Sequence, residues 1–297
     1  MTGGGGARGR PEWGAVKSAL AAAGFRPSRR LGQNFLLDDA CARAIVRDAG
    51  VGEGDFVLEV GPGWGALTAH LLAAGCEVLA VEVDLRLLEL ARRFLPAGRV
   101  EWVHADVLRS KRELAPEVEA RLPAGAPWHL VSNLPYAVAG PLLAQLAARD
   151  RPPSSGTALV QLEVAERLAA RPGDPAWGAL GAVVQASLGV RLGRRLAPEL
   201  FWPRPKVESA LVHLAPLPER RPAADRARLA ALVAVLFQHR RQSLLRVLAR
   251  ALDDRPLARE LLARQGLDPS SRGERLAMSE LFGLADSPEW RRAFERA

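Results

Sequence analysis

The stretch Val131 to Tyr136 reads Val-Ser-Asn-Leu-Pro-Tyr, and its residue types suit the presentation of an amine to a methyl donor. An exocyclic amine on a base is a poor nucleophile because its lone pair is delocalised into the ring, so a catalyst must hold it aligned and out of water. The side-chain amide oxygen of Asn133 and the backbone carbonyl of Leu134 can each accept one N–H of such an amine, which localises the lone pair and points it outward. Pro135 stiffens the loop, and Tyr136, the one tyrosine in the chain, can stack on the base. In isolation the tetrapeptide Asn-Leu-Pro-Tyr reads equally well as a strand end followed by a turn. What lies upstream decides between the two.

Upstream, the run Glu59-Val-Gly-Pro-Gly-Trp-Gly65 leads from an apolar stretch directly into a helical one. Glycines at such a turn let the backbone approach a ligand closely. In a dinucleotide fingerprint the third glycine follows the second by three residues; here Gly65 follows Gly63 by two. Glu82 stands 21 residues after Gly61, where an acidic side chain can accept both hydroxyls of a ribose. Asp106 stands where a carboxylate can accept from an adenine amino group. Glu59, Gly61, Gly63, Gly65, Glu82, Asp106 and Asn133 thus fall on four successive strand ends, hard to explain as scaffold alone. The short glycine spacing and the downstream Asn-Leu-Pro-Tyr favour S-adenosylmethionine over a nicotinamide.

These positions require an alternating framework. Short apolar runs at 56–60, 76–83, 100–104 and 129–132 read as buried strands, with helical stretches at 66–74 and 85–94 between them. That alternation predicts a doubly wound α/β sheet with parallel strands. Ahead of it, a helix is expected at 13–23 and another, capped by Asp38 or Asp39, up to residue 48. Behind it come helix 141–148, strand 157–162, helix 164–170 and a late strand at 207–214. After Pro216 only helical patterns remain. Residues 225–239 carry an apolar stripe and 243–252 follow, with a capping box expected at Ser271 and Glu274 and a cap with first-turn proline at Ser287 and Pro288. The expected organisation is a flexible tail at 1–12, a catalytic domain at 13–218 and a helical domain at 219–297.

With 297 residues, 48% hydrophobic and 25% charged, the chain can bury one large core and one small one. No run reaches membrane-spanning length. The net charge of +8 points to an anionic partner, nucleic acid being the commonest. That charge is uneven. Residues 1–37 hold six basic side chains against Glu12 alone, whereas 56–106 hold four basic against seven acidic. Residues 237–250 carry Arg240, Arg241, Arg246 and Arg250 with no acid, enough for phosphate contacts. Cys41, Cys76 and the five histidines show no metal-ligand or disulfide spacing, so a reduced cytoplasm and no structural metal are expected.

Taken together, these motifs resemble the ribosomal RNA adenine N6,N6-dimethyltransferases, most closely the bacterial small-subunit group. The resemblance runs from Arg29 to Leu281 and includes Leu31-Gly-Gln-Asn-Phe-Leu36, Glu59 to Gly63, Asn133 to Tyr136, Phe201 to Leu214 and Phe237 to Arg241. It implies a Rossmann-like S-adenosylmethionine-dependent methyltransferase domain with a small C-terminal all-helical domain. Asn34 and Leu36 would contact the cofactor with Gly61 at its methionine end, and Phe201 is a candidate for the second face of the base, equally readable as core. The implied reaction places two methyl groups on N6 of each of two adjacent adenines near the 3′ end of small-subunit ribosomal RNA, in a pre-ribosomal particle, by a monomer. His239 and Gln242 depart from the family's basic pattern. Two rivals stay open: a large-subunit methyltransferase of the macrolide-resistance type, and a non-catalytic RNA-binding or transcription-assisting protein on the same fold.

Overall fold

The structure is a computed structural model that describes residues 12–28, 30–95, 98–111 and 113–296. The expected tail at 1–12 lies outside the described residues except for Glu12, and Arg29 lies outside them too. In chain order the elements begin with α1 (Trp13–Ala22), β1 (Phe35–Leu36), α2 (Asp39–Ala49) and β2 (Phe56–Val60). Next come α3 (Thr68–Ala73), β3 (Glu77–Glu82), α4 (Leu85–Phe94), β4 (Val100–His104), β5 (Leu108–Ser110) and β6 (Glu113–Leu114). Then follow α5 (Pro116–Glu119), β7 (His129–Asn133), α6 (Ala139–Ala148), β8 (Ser155–Gln161), α7 (Leu162–Ala169) and α8 (Ala179–Gln185). Strands β9 (Leu188–Leu196), β10 (Phe201–Trp202) and β11 (Ser209–Pro216) precede helices α9 (Ala223–Gln238), α10 (Leu244–Leu252), α11 (Arg255–Arg264), α12 (Met278–Asp286) and α13 (Pro288–Glu295).

The chain divides into two compact units. The first, within residues 1–145, 153–165 and 191–215, is built on a sheet ordered β4-β3-β2-β7-β8-β11-β9. Strands β4 to β8 in that order are mutually parallel, and β11 is antiparallel to β8. The inner parallel strands β2 and β3 are buried almost along their whole length, as expected where helices cover both faces of a sheet, whereas the edge strand β4 exposes Glu101 and His104. The late strand was expected, but β9 was not. Its sequence, with Gly189, Gly193 and Arg191, Arg194 and Arg195, has little strand propensity, and it forms because it lies at the sheet edge beside β11.

Chain order reverses between β2 and β7, and there the strands part. Their backbones are in register only at Val57 opposite His129 and Leu58 opposite Leu130. Beyond that point the Ser132 hydroxyl takes over the ladder, donating to the Val60 carbonyl at 2.6 Å and receiving the Val60 N–H at 3.3 Å. A side chain inserted between two backbones holds them apart at their carboxyl ends. This is the switch point at which sheets of this kind open a ligand crevice.

Side-chain caps close the start of four helices, Asp254 doing so at α11 by accepting the Leu257 N–H at 2.9 Å. Asp38, rather than Asp39, caps α2 by accepting the Cys41 N–H at 2.6 Å, and Asp39 instead pairs with His70 at 2.9 Å. Asp84 caps α4, and Ser287 caps α13 ahead of Pro288. The expected capping box at Ser271 and Glu274 does not form. Glu274 is drawn into ion pairs with Arg240 at 2.8 Å and Arg272 at 3.7 Å, while the Ser271 hydroxyl bonds to Asp268. The reciprocal bond appears instead at α12, where Glu280 accepts the Ala277 N–H at 2.7 Å.

The second unit takes in residues 146–152, 166–190 and 216–297, so it is assembled from three stretches of chain. Its core gathers Leu229, Leu232, Val233 and Leu236 of α9 with Leu244, Val247 and Leu248 of α10, Leu261 and Leu262 of α11, and Leu281 and Leu284 of α12. Two arginines tie its segments together through backbone carbonyls. Arg226 donates to the Ala148 carbonyl at 2.9 Å at the end of α6, and Arg220 donates to the Asp150 carbonyl at 2.8 Å just beyond it. Among the described residues no helix is long and apolar enough to cross a membrane, and no group of three or more His, Cys, Asp or Glu could hold a metal ion.

Candidate functional site

A cleft of about 630 Å³ opens where β2 and β7 part, and a second lobe of about 670 Å³ shares Leu31, Gly61, Glu82, Val83 and Pro135 with it. Asn34, Leu36, Asn133, Leu134 and Tyr136 line the first lobe and Asp106 the second. Gly63 does not line either lobe but donates its N–H to Glu82 from the turn behind. Asn34, Leu36, Gly61, Glu82, Asp106, Asn133, Leu134, Pro135 and Tyr136 are therefore brought to one place, Asn34 and Asn133 among them lying 99 residues apart in sequence.

The turn after β2 holds Gly61, Gly63 and Gly65 at φ of 69°, 59° and 89°, a region closed to most side chains. All three are crowded as well, Gly65 by Leu95, whose Cδ1 a Cβ would meet at 2.5 Å. A Cβ on Gly61 would sit 2.7 Å from Cγ of Pro135, and one on Gly63 would sit 2.8 Å from Cδ1 of Phe35. Phe35 belongs to an aromatic cluster with Phe25 and Trp202, while Trp13 from α1 packs on Trp64 and Trp202. The first helix thus buttresses the segment that covers the glycine turn.

Three carboxylates ring the cleft. Glu59 is buried and accepts the Thr68 hydroxyl at 2.7 Å; burial, opposed by that bond and reinforced by the charge of Glu82, pushes it up to about 8. Glu82 is also raised by burial, against the pull of backbone N–H groups from Asp84 and Gly63, each at 3.0 Å. Those two bonds fix the carboxylate and leave a further lone pair on each oxygen facing outward. One oxygen of Asp106 accepts the Leu108 N–H at 3.0 Å, and the side chain is otherwise open to the cleft. Against Glu59, Glu82 and Asp106, the only basic residue lining either lobe among the described residues is Arg30. Glu59, raised to about 8, keeps its proton at neutral pH, while the acceptors of Glu82 and Asp106 suit a diol and an amino-purine, the chemistry of S-adenosylmethionine, better than a pyrophosphate.

Residues 31–36 form a strap across this cleft, and each contact it makes has a purpose in positioning. The Asn34 carbonyl accepts the side-chain N–H of Asn133 at 3.0 Å. With Nδ2 so engaged, Oδ1 of Asn133 is the atom left to face a substrate amine. No N–H among the described residues takes the Leu134 carbonyl, whose own N–H bonds to Leu159 at 3.0 Å. Gly32, at φ of 65°, lies so close to the loop that a Cβ would meet the Tyr136 nitrogen at 3.0 Å. Gln33 receives the Ser28 N–H at 2.7 Å and donates to Asp84 at 3.3 Å, tying the strap to the residue next but one after Glu82. Burial would raise Asp84, but bonds from Arg86 and Gln33 hold it below the usual carboxylate range.

The ring of Tyr136 is half-buried and its hydroxyl bonds to Ser209 at 2.7 Å. Phe201 does not join it. That side chain is buried in the core, in register with Leu36 across β1 and β10, and does not line the cleft. Gln33, Ser132 and Ser209 were not singled out from the sequence. The one available signal for the two serines is a polar residue beside a run of apolar strand residues, where burial makes a partner obligatory.

The four arginines expected at RNA belong to the helical unit. Arg240 is paired with Glu274 at 2.8 Å, and Arg250 lies 3.3 Å from Nε2 of His239. Arg241 and Arg246 are exposed and have no carboxylate partner among the described residues. Gln242 turns inward, its side-chain oxygen buried without a partner.

Comparison with known proteins agrees with this arrangement. A family model described as Ribosomal RNA adenine dimethylase matches residues 24–282. The Ribosomal RNA small subunit methyltransferase A of Phenylobacterium zucineum is 40% identical over 274 residues, which cover 92% of this chain and 92% of that one. Among solved structures, a dimethyladenosine transferase from Plasmodium falciparum shares the fold with a TM-score of 0.66, covering 83% of this chain and 94% of its own at 19% identity. The 23S rRNA methyltransferase ErmE gives a TM-score of 0.61 at 25% identity, covering 85% of this chain and 100% of its own. The doubly wound domain with its helical companion is therefore a Rossmann-like methyltransferase fold, and the chain belongs to the ribosomal RNA adenine dimethylase family.

Proposed function

We propose that this protein transfers methyl groups from S-adenosylmethionine to N6 of adenines in small-subunit ribosomal RNA, two to each of two adjacent bases near the 3′ end. The observation that carries the reading is the orientation of Asn133, whose Nδ2 is occupied by the Asn34 carbonyl at 3.0 Å so that Oδ1 is presented to the cleft. When bound, S-adenosylmethionine supplies an electrophilic methyl group on a good leaving group. Glu82 would accept the ribose hydroxyls, Asp106 the adenine amino group, and the strap at Asn34 and Leu36 would cover the methionine end near Gly61.

The target adenine has to leave its stack to reach such a cleft. There, Oδ1 of Asn133 and the Leu134 carbonyl would each accept one N–H of the amine, drawing its lone pair out of the ring, while Tyr136 stacks on the base. No general base is needed, since the proton can leave to water after the methyl has arrived. Positioning is then the whole of catalysis. A second transfer is compatible with the same pair of acceptors: the monomethyl amine keeps one N–H, which one of the two can hold while the methyl occupies the place of the other.

Arg241 and Arg246, with no carboxylate partner among the described residues, are suited to phosphates of the RNA. The curated relative named above acts in name on the small subunit, whereas a fold likeness to a large-subunit enzyme keeps that substrate as the rival. The deciding experiment is methyl incorporation from labelled S-adenosylmethionine into undermethylated small subunits and, separately, large-subunit RNA. Dimethyladenosine in the small-subunit RNA alone is the expected result. Label in the large-subunit RNA would transfer the protein to the rival substrate, and none in either would leave an RNA-binding protein without catalysis.

A further inference from the structure

Ser209 is fully buried and is the first residue of a strand whose other polar side chain is His213. Because β11 runs antiparallel to β8, it begins where the parallel strands end, and Ser209 stands opposite Gln161 at that edge of the sheet. The loop following β7 emerges at the same edge. Its Tyr136 hydroxyl reaches Ser209 Oγ at 2.7 Å, and among the described residues no other side-chain partner satisfies either group. A buried hydroxyl needs a partner, and here the partner is the tip of a ring that lines the cleft.

Resting on the reading that Tyr136 stacks on the target base, we propose that Ser209 is a positioning residue for methyl transfer, anchoring the Tyr136 hydroxyl so that the ring presents one fixed face to the incoming adenine. A tyrosine ring has two free side-chain torsions. Its near end is held by the proline-stiffened loop and by Gly32 packed on its backbone nitrogen, and the Ser209 bond holds the far end. A platform fixed at both ends loses no rotational freedom when a base settles on it, and it sets the height at which N6 meets Asn133. The same contact explains tyrosine rather than phenylalanine at 136: the hydroxyl points away from the cleft into the sheet, where it has no work on the substrate. Burial raises the phenol above its ordinary value, so it stays protonated at neutral pH.

Tyr136 is the only tyrosine in the chain, so full-length protein labelled with 3-fluorotyrosine gives one fluorine resonance that reports this ring alone. In Ser209→Ala that resonance is expected to shift and narrow as the ring is released, and to return in Ser209→Thr, which keeps the hydroxyl. Single-turnover methylation of small-subunit particles is expected to slow about tenfold, the worth of one hydrogen bond, with the dissociation constant for S-adenosylmethionine unchanged. Tyr136→Phe removes the same bond from its other end and serves if Ser209→Ala does not fold. The double variant is expected to be no slower than the slower single one. An unmoved resonance in Ser209→Ala, or losses that multiply in the double variant, would overturn the proposal. Failure of the unlabelled wild type to methylate small-subunit RNA would instead count against the substrate assignment, because the resonance reads the Ser209 contact whatever the RNA.

Discussion

The side-chain nitrogen of Asn133 donates to the backbone carbonyl of Asn34 at 3.0 Å, a bond between residues 99 apart in sequence. It joins the strap over the cofactor lobe to the group proposed to hold the amine. Asn133→Ala should therefore bind S-adenosylmethionine within a few-fold of wild type while single-turnover methyl transfer falls by about 10²-fold or more, the cost of losing alignment at the reacting atom. Asn133→Asp should fare no better, since a carboxylate facing the Asn34 carbonyl has no N–H to donate. Isothermal titration with cofactor beside rapid-quench kinetics separates the two effects, and equal losses in both would contradict the division of labour.

At the glycine turn, Gly63→Ala places a Cβ 2.8 Å from the Phe35 ring at a φ of 59°. The strain should cost about 1–3 kcal/mol in chemical denaturation. Cofactor affinity should fall at the same time, because Gly63 also donates its N–H to Glu82. Gly50→Ala, where φ is 66° but a Cβ meets nothing within 4 Å, is the control that isolates strain from crowding.

Gln33 tethers the strap to Asp84 at 3.3 Å. Gln33→Glu would set two carboxylates against each other, so KM for S-adenosylmethionine should rise about tenfold with kcat changed far less, a loss of about 1.4 kcal/mol in ground-state binding. Raising the salt concentration should not restore it if the tether, rather than a long-range charge effect, is responsible.

Glu59 supplies a pH signature. Its folded value of about 8 lies above the ordinary 4.5, so between those limits the folded state holds a proton that the unfolded state has lost. Its contribution to stability is complete below pH 4.5 and declines as pH rises through about 8. Glu59→Gln keeps the polar contact to Thr68 and cannot ionise. The stability of the variant relative to wild type should therefore grow with pH across that window, by up to about 1.4 kcal/mol per unit, as measured by urea unfolding at several pH values. A difference that is flat with pH would mean that Glu59 is ionised in the folded protein.

Among the arginines of the helical unit, Arg241→Ala and Arg246→Ala should each lower the slope of log affinity against log salt by about one for RNA binding. Arg240→Ala should lower it less, because its charge is already shared with Glu274 at 2.8 Å. Filter binding across a salt series gives the three slopes directly.

The short apolar runs were enough to locate β2, β3, β4 and β7, and with them the strand ends that carry Gly61, Glu82, Asp106 and Asn133. Local period and glycine chemistry are written in neighbouring residues, so no tertiary knowledge was needed there. The late strand and helices α9 and α10 were legible for the same reason. Strand β9 was not, because glycines and arginines carry no strand signal and only the edge of the sheet recruits them. The capping box at Ser271 failed because an arginine 34 residues away competes for Glu274. What the tertiary structure alone decided are the pairings: Asn133 with the Asn34 carbonyl, Gln33 with Asp84, Ser132 with Val60 and Tyr136 with Ser209. A polar side chain announces that it must find a partner, but not which one. That choice is made when strands distant in sequence come to share one edge of a sheet, and so the sequence determined which groups could act while the fold determined how each is aimed.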